Sequence, residues 1–190
     1  TTSSPDYRAN FLFSRQLAGP LDYTPGSMQN CNPDVFQPRD PGLPSTLGTR
    51  AQELALYILL DQYFAMLCDS PEAYRADPDV LRFLGEVPVT WNESHALLAR
   101  MGDHAVMAKR SGERWYVGGL CAWTPRELTV DFSFLEPGQT YEAECFFDHP
   151  DCDQDARLYQ RQIITISADT QKTFSLASGG GFAIVINPIN

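Results

Sequence analysis

The acid best placed to do chemistry is Asp22. It lies beside Tyr23 in the stretch LAGPLDYTPG at 17–26. Two Gly and two Pro in ten residues cannot sit inside a helix. The stretch therefore reads as a short buried strand running into a shaped loop. A carboxylate there caps its own turn or offers an acceptor to a ligand, and Tyr23 packs inward or stacks on a ring. Arg15, just upstream, reads first as an ion-pair partner and second as a ligand contact.

Other groupings carry weaker chemistry. Asp148, Asp151, Asp153 and Asp155 follow a D-x-x-D-x-D-x-D spacing without the glycine and terminal Glu of an EF-hand loop. That run reads as a solvated hairpin loop, with a weak ion site as the other reading. Trp91, Trp115, Tyr116 and Trp123 are either core or a sugar-stacking platform. His95, His104 and His149 are scattered and form no Ser/His/Asp order. Cys31, Cys68, Cys121, Cys145 and Cys152 contain no CxxC, which argues against zinc. Cys145 and Cys152 are near enough in sequence to bridge a short loop, or they are buried thiols.

The elements that must hold these residues fall into two textures. Before residue 49 the chain is punctuated, with Phe11-Leu12-Phe13 as a possible strand and a Pro-rich loop from Met28 to Gly48. Thr49 and Gln52 have capping-box spacing, and Ala51, Leu54, Ala55, Ile58, Leu59 and Gln62 trace one helical face. The spacing predicts a helix over 49–68. Ser70-Pro71-Glu72 and Asp77-Pro78-Asp79 each read as a fresh helix start with Pro at the first position. Val80, Leu81, Phe83 and Leu84 give the last short helix an apolar face, and it is expected to end at Gly85.

After Gly85 helical periodicity stops. Short alternating strands are expected at 87–91, 95–101, 104–110, 114–122, 127–134, 140–148, 159–166, 171–176 and 181–186, with Gly- and Pro-bearing turns between them. That spacing means an antiparallel sandwich or barrel. The division falls at residue 86. A helix with a broad apolar face at Ile58 must pack on something: either the β domain or partners outside these residues.

Hydrophobic residues make up 43% of the 190, so a packed globular chain is expected. A net charge of −10 repels phosphate backbones and argues against nucleic acid. No apolar run approaches the roughly 20 residues that span a bilayer. The chain opens on Thr1 in polar sequence, and 1–10 show no basic stretch followed by an apolar one. The expectation is that the true N-terminus, with any targeting signal, lies upstream.

Several stretches, in order, resemble the family 97 glycoside hydrolases. They are LAGPLDYTPG at 17–26 with Arg15 before it, LCDSPEAY at 67–74, VPVTWNES at 87–94, AKRSGERWYVG at 108–118 and GGGFAI at 179–184. Asn92 departs from the Asp usual there. The resemblance implies an α+β piece: residues 1–85 as the last strand, loop and helices of a (β/α)8 barrel, and 86–190 as an all-β antiparallel sandwich domain. It implies part of a calcium-dependent α-glucosidase or α-galactosidase, acting on an α-linked oligosaccharide or glycoside in the periplasm or outside the cell. The family's calcium-binding glutamates and catalytic carboxylates lie upstream of residue 1, so this chain alone is expected to be inactive and to partner the N-terminal part of the same protein. Glycoside hydrolysis needs two carboxyls flanking the bond. If the loop at 17–26 tops a barrel strand, Asp22 would bond a sugar hydroxyl and Tyr23 would stack on a ring, with Arg15 beside them. The alternatives are a carbohydrate-binding β domain or a purely structural one.

Overall fold

The computed structural model describes residues 3–36 and 45–189. Pro38, Pro41 and Pro44 of the expected long loop lie outside them. The described chain is α+β and dominated by antiparallel sheet. Six strands form the main sheet: β3 (Glu93–Arg100), β4 (His104–Ser111), β5 (Arg114–Cys121), β7 (Tyr141–Asp148), β8 (Tyr159–Ile166) and β10 (Gly181–Pro188). Their order is β3-β4-β5-β10-β7-β8, with every neighbour antiparallel. A second sheet pairs β6 (Arg126–Asp131) with β9 (Gln171–Leu176).

Alternation along each strand gives the main sheet two apolar faces. Val117, Ala143, Cys145, Ile184 and Ile186 meet Leu128, Val130, Phe174 and Leu176 of the β6–β9 ribbon in one core. Tyr116, Phe146, Ala183 and Val185 point the other way, onto helices. The expected sandwich is therefore unequal, six strands against two, and its second face is covered by the first part of the chain.

That cover is mainly α2 (Arg50–Leu59), of which every residue is buried. Thr49 caps it by accepting from the Gln52 amide at 3.1 Å. Ile58 and Leu54 pack on the main sheet. Ala55, Leu56 and Leu59 meet α1 (Pro5–Phe11) and Leu120. The broad apolar face found in the sequence thus packs on the β domain. Burying α2 also buries charge, and each charge is paired. Arg8 pairs with Glu53 at 3.3 Å. Arg50 pairs with Asp77 at 3.2 Å and donates to the Met28 carbonyl at 2.6 Å.

Four local expectations change. Phe11 ends helix α1 and is in no strand; Pro5 at the first position and Asp6 in the first turn were the overlooked start signal. Residues Arg15–Ala18 form a 3-10 turn, and no strand starts at Leu17, where a short buried one was expected. Helix α2 stops at Leu59 and does not run to 68, because tertiary contacts capture its end. Lys109 takes the Leu59 carbonyl at 3.1 Å, and the Asp61 carbonyl accepts from the Leu21 amide at 2.8 Å. Residues 87–91 are irregular, since Pro88 has no N–H for a ladder; pairing begins when the Asn92 amide reaches the Arg110 carbonyl at 2.8 Å.

The remaining starts follow the sequence. Ser70 caps α3 (Pro71–Arg75) and Asp77 caps α4 (Pro78–Glu86), each side chain accepting from the amide three residues on. Two three-residue strands, β1 (Gln29–Cys31) and β2 (Ser45–Leu47), pair in parallel. All five cysteines are free thiols. Among the described residues no helix is long and apolar enough to cross a membrane.

Candidate functional site

The loop at 17–26 is held by the chain itself. Arg15 donates to the carbonyls of Gly19 and Pro20 at 3.4 and 3.3 Å. The Tyr23 hydroxyl bonds the Ser3 hydroxyl at 2.8 Å, and its ring stands edge-on to Phe11 with centroids 5.5 Å apart. Burial pushes the Tyr23 hydroxyl pKa up. Tyr57 donates to the Pro25 carbonyl at 2.8 Å, and the Gly26 amide donates to Glu53 at 2.9 Å. Gly26 has φ +98°, and a Cβ there would lie 2.3 Å from the Tyr57 oxygen. Asp22 is exposed and has no hydrogen bond or ion pair among the described residues. Of the three residues singled out from the sequence, Arg15 and Tyr23 are thus occupied locally, and Asp22 stands free.

Beside this loop the molecule presents apolar surface. Leu17 and Phe64 are 80% and 79% exposed, and Tyr63, Met66, Leu67 and Val89 are exposed as well. A cavity of roughly 160 Å³ opens here between Leu60, Leu67, Val87, Val89 and Trp91. Gln62 also lines it, is only 4% exposed, and leaves both its amide nitrogen and its amide oxygen without a partner. Val89 and Trp91 line a second hollow of roughly 230 Å³, with Gln16, Pro20, Asp61 and Tyr63. Behind it Lys109 is fully buried, pairs with Asp61 at 2.7 Å and sits 5.5 Å from the Trp91 ring centre. Burial pulls the Lys109 pKa down.

A different pattern surrounds Asp148. Burial pushes its carboxyl up to about 6. It borders a cleft of roughly 450 Å³ that also holds His149, Asp153, Lys172 and Phe174. A raised carboxyl next to a second one in a cleft is a pattern associated with acid–base chemistry. Here its oxygens are already used: they accept from the Thr49 hydroxyl at 2.6 Å and the amides of Ala177 and Gly181 at 2.9 and 3.1 Å. Asp148 staples the start of α2 to the turn before β10. The acidic run is therefore a surface loop with a buried first member, and no sequence spacing marks which Asp turns inward.

The aromatic residues do not share one platform. Trp115 and Tyr116 are buried and, as neighbours on β5, face opposite sides of the sheet. Trp91 stands edge-on to Tyr116 at 5.4 Å. Trp123 donates to Asp6 at 2.8 Å.

Fold and geometry together define an α+β unit built on an antiparallel sheet, with helices on one face and a ribbon on the other. A family model described as the glycosyl-hydrolase 97 C-terminal, oligomerisation region matches residues 90–187. The chain belongs to the family 97 glycoside hydrolases. A retaining alpha-galactosidase of Bacteroides thetaiotaomicron is 40% identical over 180 residues, which is 95% of this chain and 27% of that protein. A probable retaining alpha-galactosidase of Streptomyces bingchenggensis is 31% identical over 90% of this chain and 24% of its own length. A family 97 enzyme of Pseudoalteromonas sp. strain K8, solved with acarbose, superposes with a TM-score of 0.86 at 29% identity, covering 98% of this chain and 29% of that one. The chain thus spans about a quarter of the length of the curated relatives it matches.

Proposed function

We propose that this chain is the C-terminal part of a retaining α-galactosidase whose catalytic carboxylates lie upstream, and that it is inactive alone. The identity of 40% to a retaining alpha-galactosidase, over nearly the whole chain but a quarter of the relative, carries this reading. In it, residues 1–85 close a (β/α)8 barrel and 86–190 form the C-terminal β domain. A retaining enzyme needs two carboxyls about 5 Å apart, one as nucleophile and one as acid and base. The upstream part supplies both, along with the glutamates that hold calcium. Asp22, free on its loop, is the residue of this chain offered to a sugar hydroxyl, with Tyr23 and Arg15 fixing the loop behind it. The substrate is an α-linked galactoside or oligosaccharide met in the periplasm or outside the cell.

A second reading, an α-glucosidase, is favoured by the Pseudoalteromonas enzyme's complexes with acarbose and panose. The test is direct. The purified chain is assayed on aryl α-galactosides and α-glucosides with and without calcium, and the intact mass of the natural product is measured. The expected results are no turnover and a mass well above that of 190 residues. Calcium-dependent hydrolysis by the chain alone would overturn the proposal.

A further inference from the structure

We propose that the apolar surface of Tyr63, Leu67 and Val89 around the two hollows is the seat of the upstream part of the family 97 polypeptide, and that Gln62 clamps it through a backbone peptide group. The inference rests on the preceding reading that such a part exists, and it assigns that part's contact. A buried primary amide without partners is costly, because its donor and its acceptor have both lost water. Gln62 carries this cost at the wall of an open cavity that the exposed Leu67 and Val89 also line. One Nε2 donor and one Oε1 acceptor match the C=O and N–H of a peptide group. An interface centre is apolar and desolvated with a few hydrogen bonds made inside it, and an unpartnered amide among apolar side chains supplies both.

The competing occupant is a second copy of this chain. The family model whose description includes oligomerisation spans 90–187, and Gln62, Tyr63, Leu67 and Val89 all fall outside that span. By contrast, a curated relative carries this unit as 27% of its length, and the Pseudoalteromonas enzyme repeats its fold as 29% of a longer chain. The remainder of such a polypeptide has to rest somewhere on the unit, and this surface is apolar, hollowed and polar-anchored.

The experiment compares hydrogen exchange at residues 62–67 in the 190-residue chain and in the full-length gene product, at several concentrations. Gln62→Leu is made in both. Exchange in the long protein is expected to slow about tenfold or more relative to the chain alone. Gln62→Leu is expected to leave the melting temperature of the chain alone unchanged or higher, since an unpartnered amide disappears, and to lower it in the long protein. A merely structural Gln62 would lower both. Equal exchange in the two forms overturns the inference. So does protection that grows with concentration in the chain alone, which assigns the surface to a second copy. A natural product of only 190 residues defeats the preceding reading itself, and the intact mass tells that failure apart.

Discussion

Asp148→Asn exposes the energetic conflict in the staple that joins α2 to the sheet. The carboxylate accepts three hydrogen bonds, but it is almost wholly buried, and burial dominates by raising it to about 6 from an ordinary 3.8. The folded chain therefore holds this proton more tightly than the unfolded chain. Its stabilising effect is full below about pH 4 and is lost as pH rises through about 6. The gap between the two values corresponds to about 3 kcal/mol. Asparagine keeps the shape: its oxygen can accept from the Ala177 and Gly181 amides, and its nitrogen can donate to the Thr49 oxygen. The Thr49 hydroxyl proton then loses its acceptor, at about 1 kcal/mol. The net gain is about 2 kcal/mol near pH 7.5, or about 4–8 °C in melting temperature for a chain of this size. Near pH 4.5, with the wild-type carboxyl largely protonated, the gain is close to zero. Thermal unfolding followed by circular dichroism at both pH values reads this directly. A variant that is less stable than wild type near pH 7.5, or that differs by the same amount at both, refutes the reasoning: the charged hydrogen bonds would then outweigh desolvation.

Ile58→Asp places a charge at a fully buried position between α2 and the sheet; chemical denaturation should show a loss of about 3 kcal/mol or more, and a change within about 0.5 kcal/mol would mean the face is open. Glycines test the packing in opposite directions. At Gly119 a Cβ would lie 2.3 Å from the Phe182 ring, which is itself stacked on Phe174 at 4.3 Å, so Gly119→Ala should cost about 2–3 kcal/mol in the same assay. Gly85 sits in α4 with open space where a Cβ would go, so Gly85→Ala should stabilise by up to about 1 kcal/mol. If both substitutions move stability the same way, the spacing of these elements is wrong.

The β strands were legible because their alternation is local. Each inward residue is two positions from the next, and Gly102, Gly112, Gly138 and Gly179, all at positive φ, mark the turns. The sequence of 159–166 and 171–176 shows the same boundaries as β8 and β9. Helix starts were legible for the same reason, since Ser70 and Asp77 act on amides three residues away. The end of α4 also falls within one residue of the expected Gly85, but the end of α2 was not legible. Tyr63, Phe64, Met66 and Leu67 resume the apolar content of α2 just past Asp61 and Gln62, yet they lie outside it and exposed. What stops α2 is Lys109, some fifty residues on, reaching the Leu59 carbonyl and the Asp61 carboxylate. No window of sequence contains that contact.

The candidate site follows the same division. LAGPLDYTPG is readable as a shaped loop, but its shape comes from distant donors and acceptors: Tyr57 and Tyr74 hold the carbonyls of Pro25 and Gly26, and Glu53 holds the Gly26 amide. Glu53 and Tyr57 sit on α2, and Tyr74 on α3. The helices that cover the sheet thereby also fix the loop that carries Asp22. The Leu21 amide is tied to the carbonyl of Asp61, whose carboxylate holds Lys109 on β4. A free acid at the tip of a loop braced at both ends is a positioned acceptor, whereas a free acid on an unbraced loop would be a solvated charge. Asp61→Asn keeps the main-chain carbonyl that accepts from Leu21 but takes the carboxylate from buried Lys109, so it should lower the melting temperature as well as loosen the junction behind the loop. The placement of Asp22 is therefore a property of the α2–β4 junction as much as of the motif that contains it.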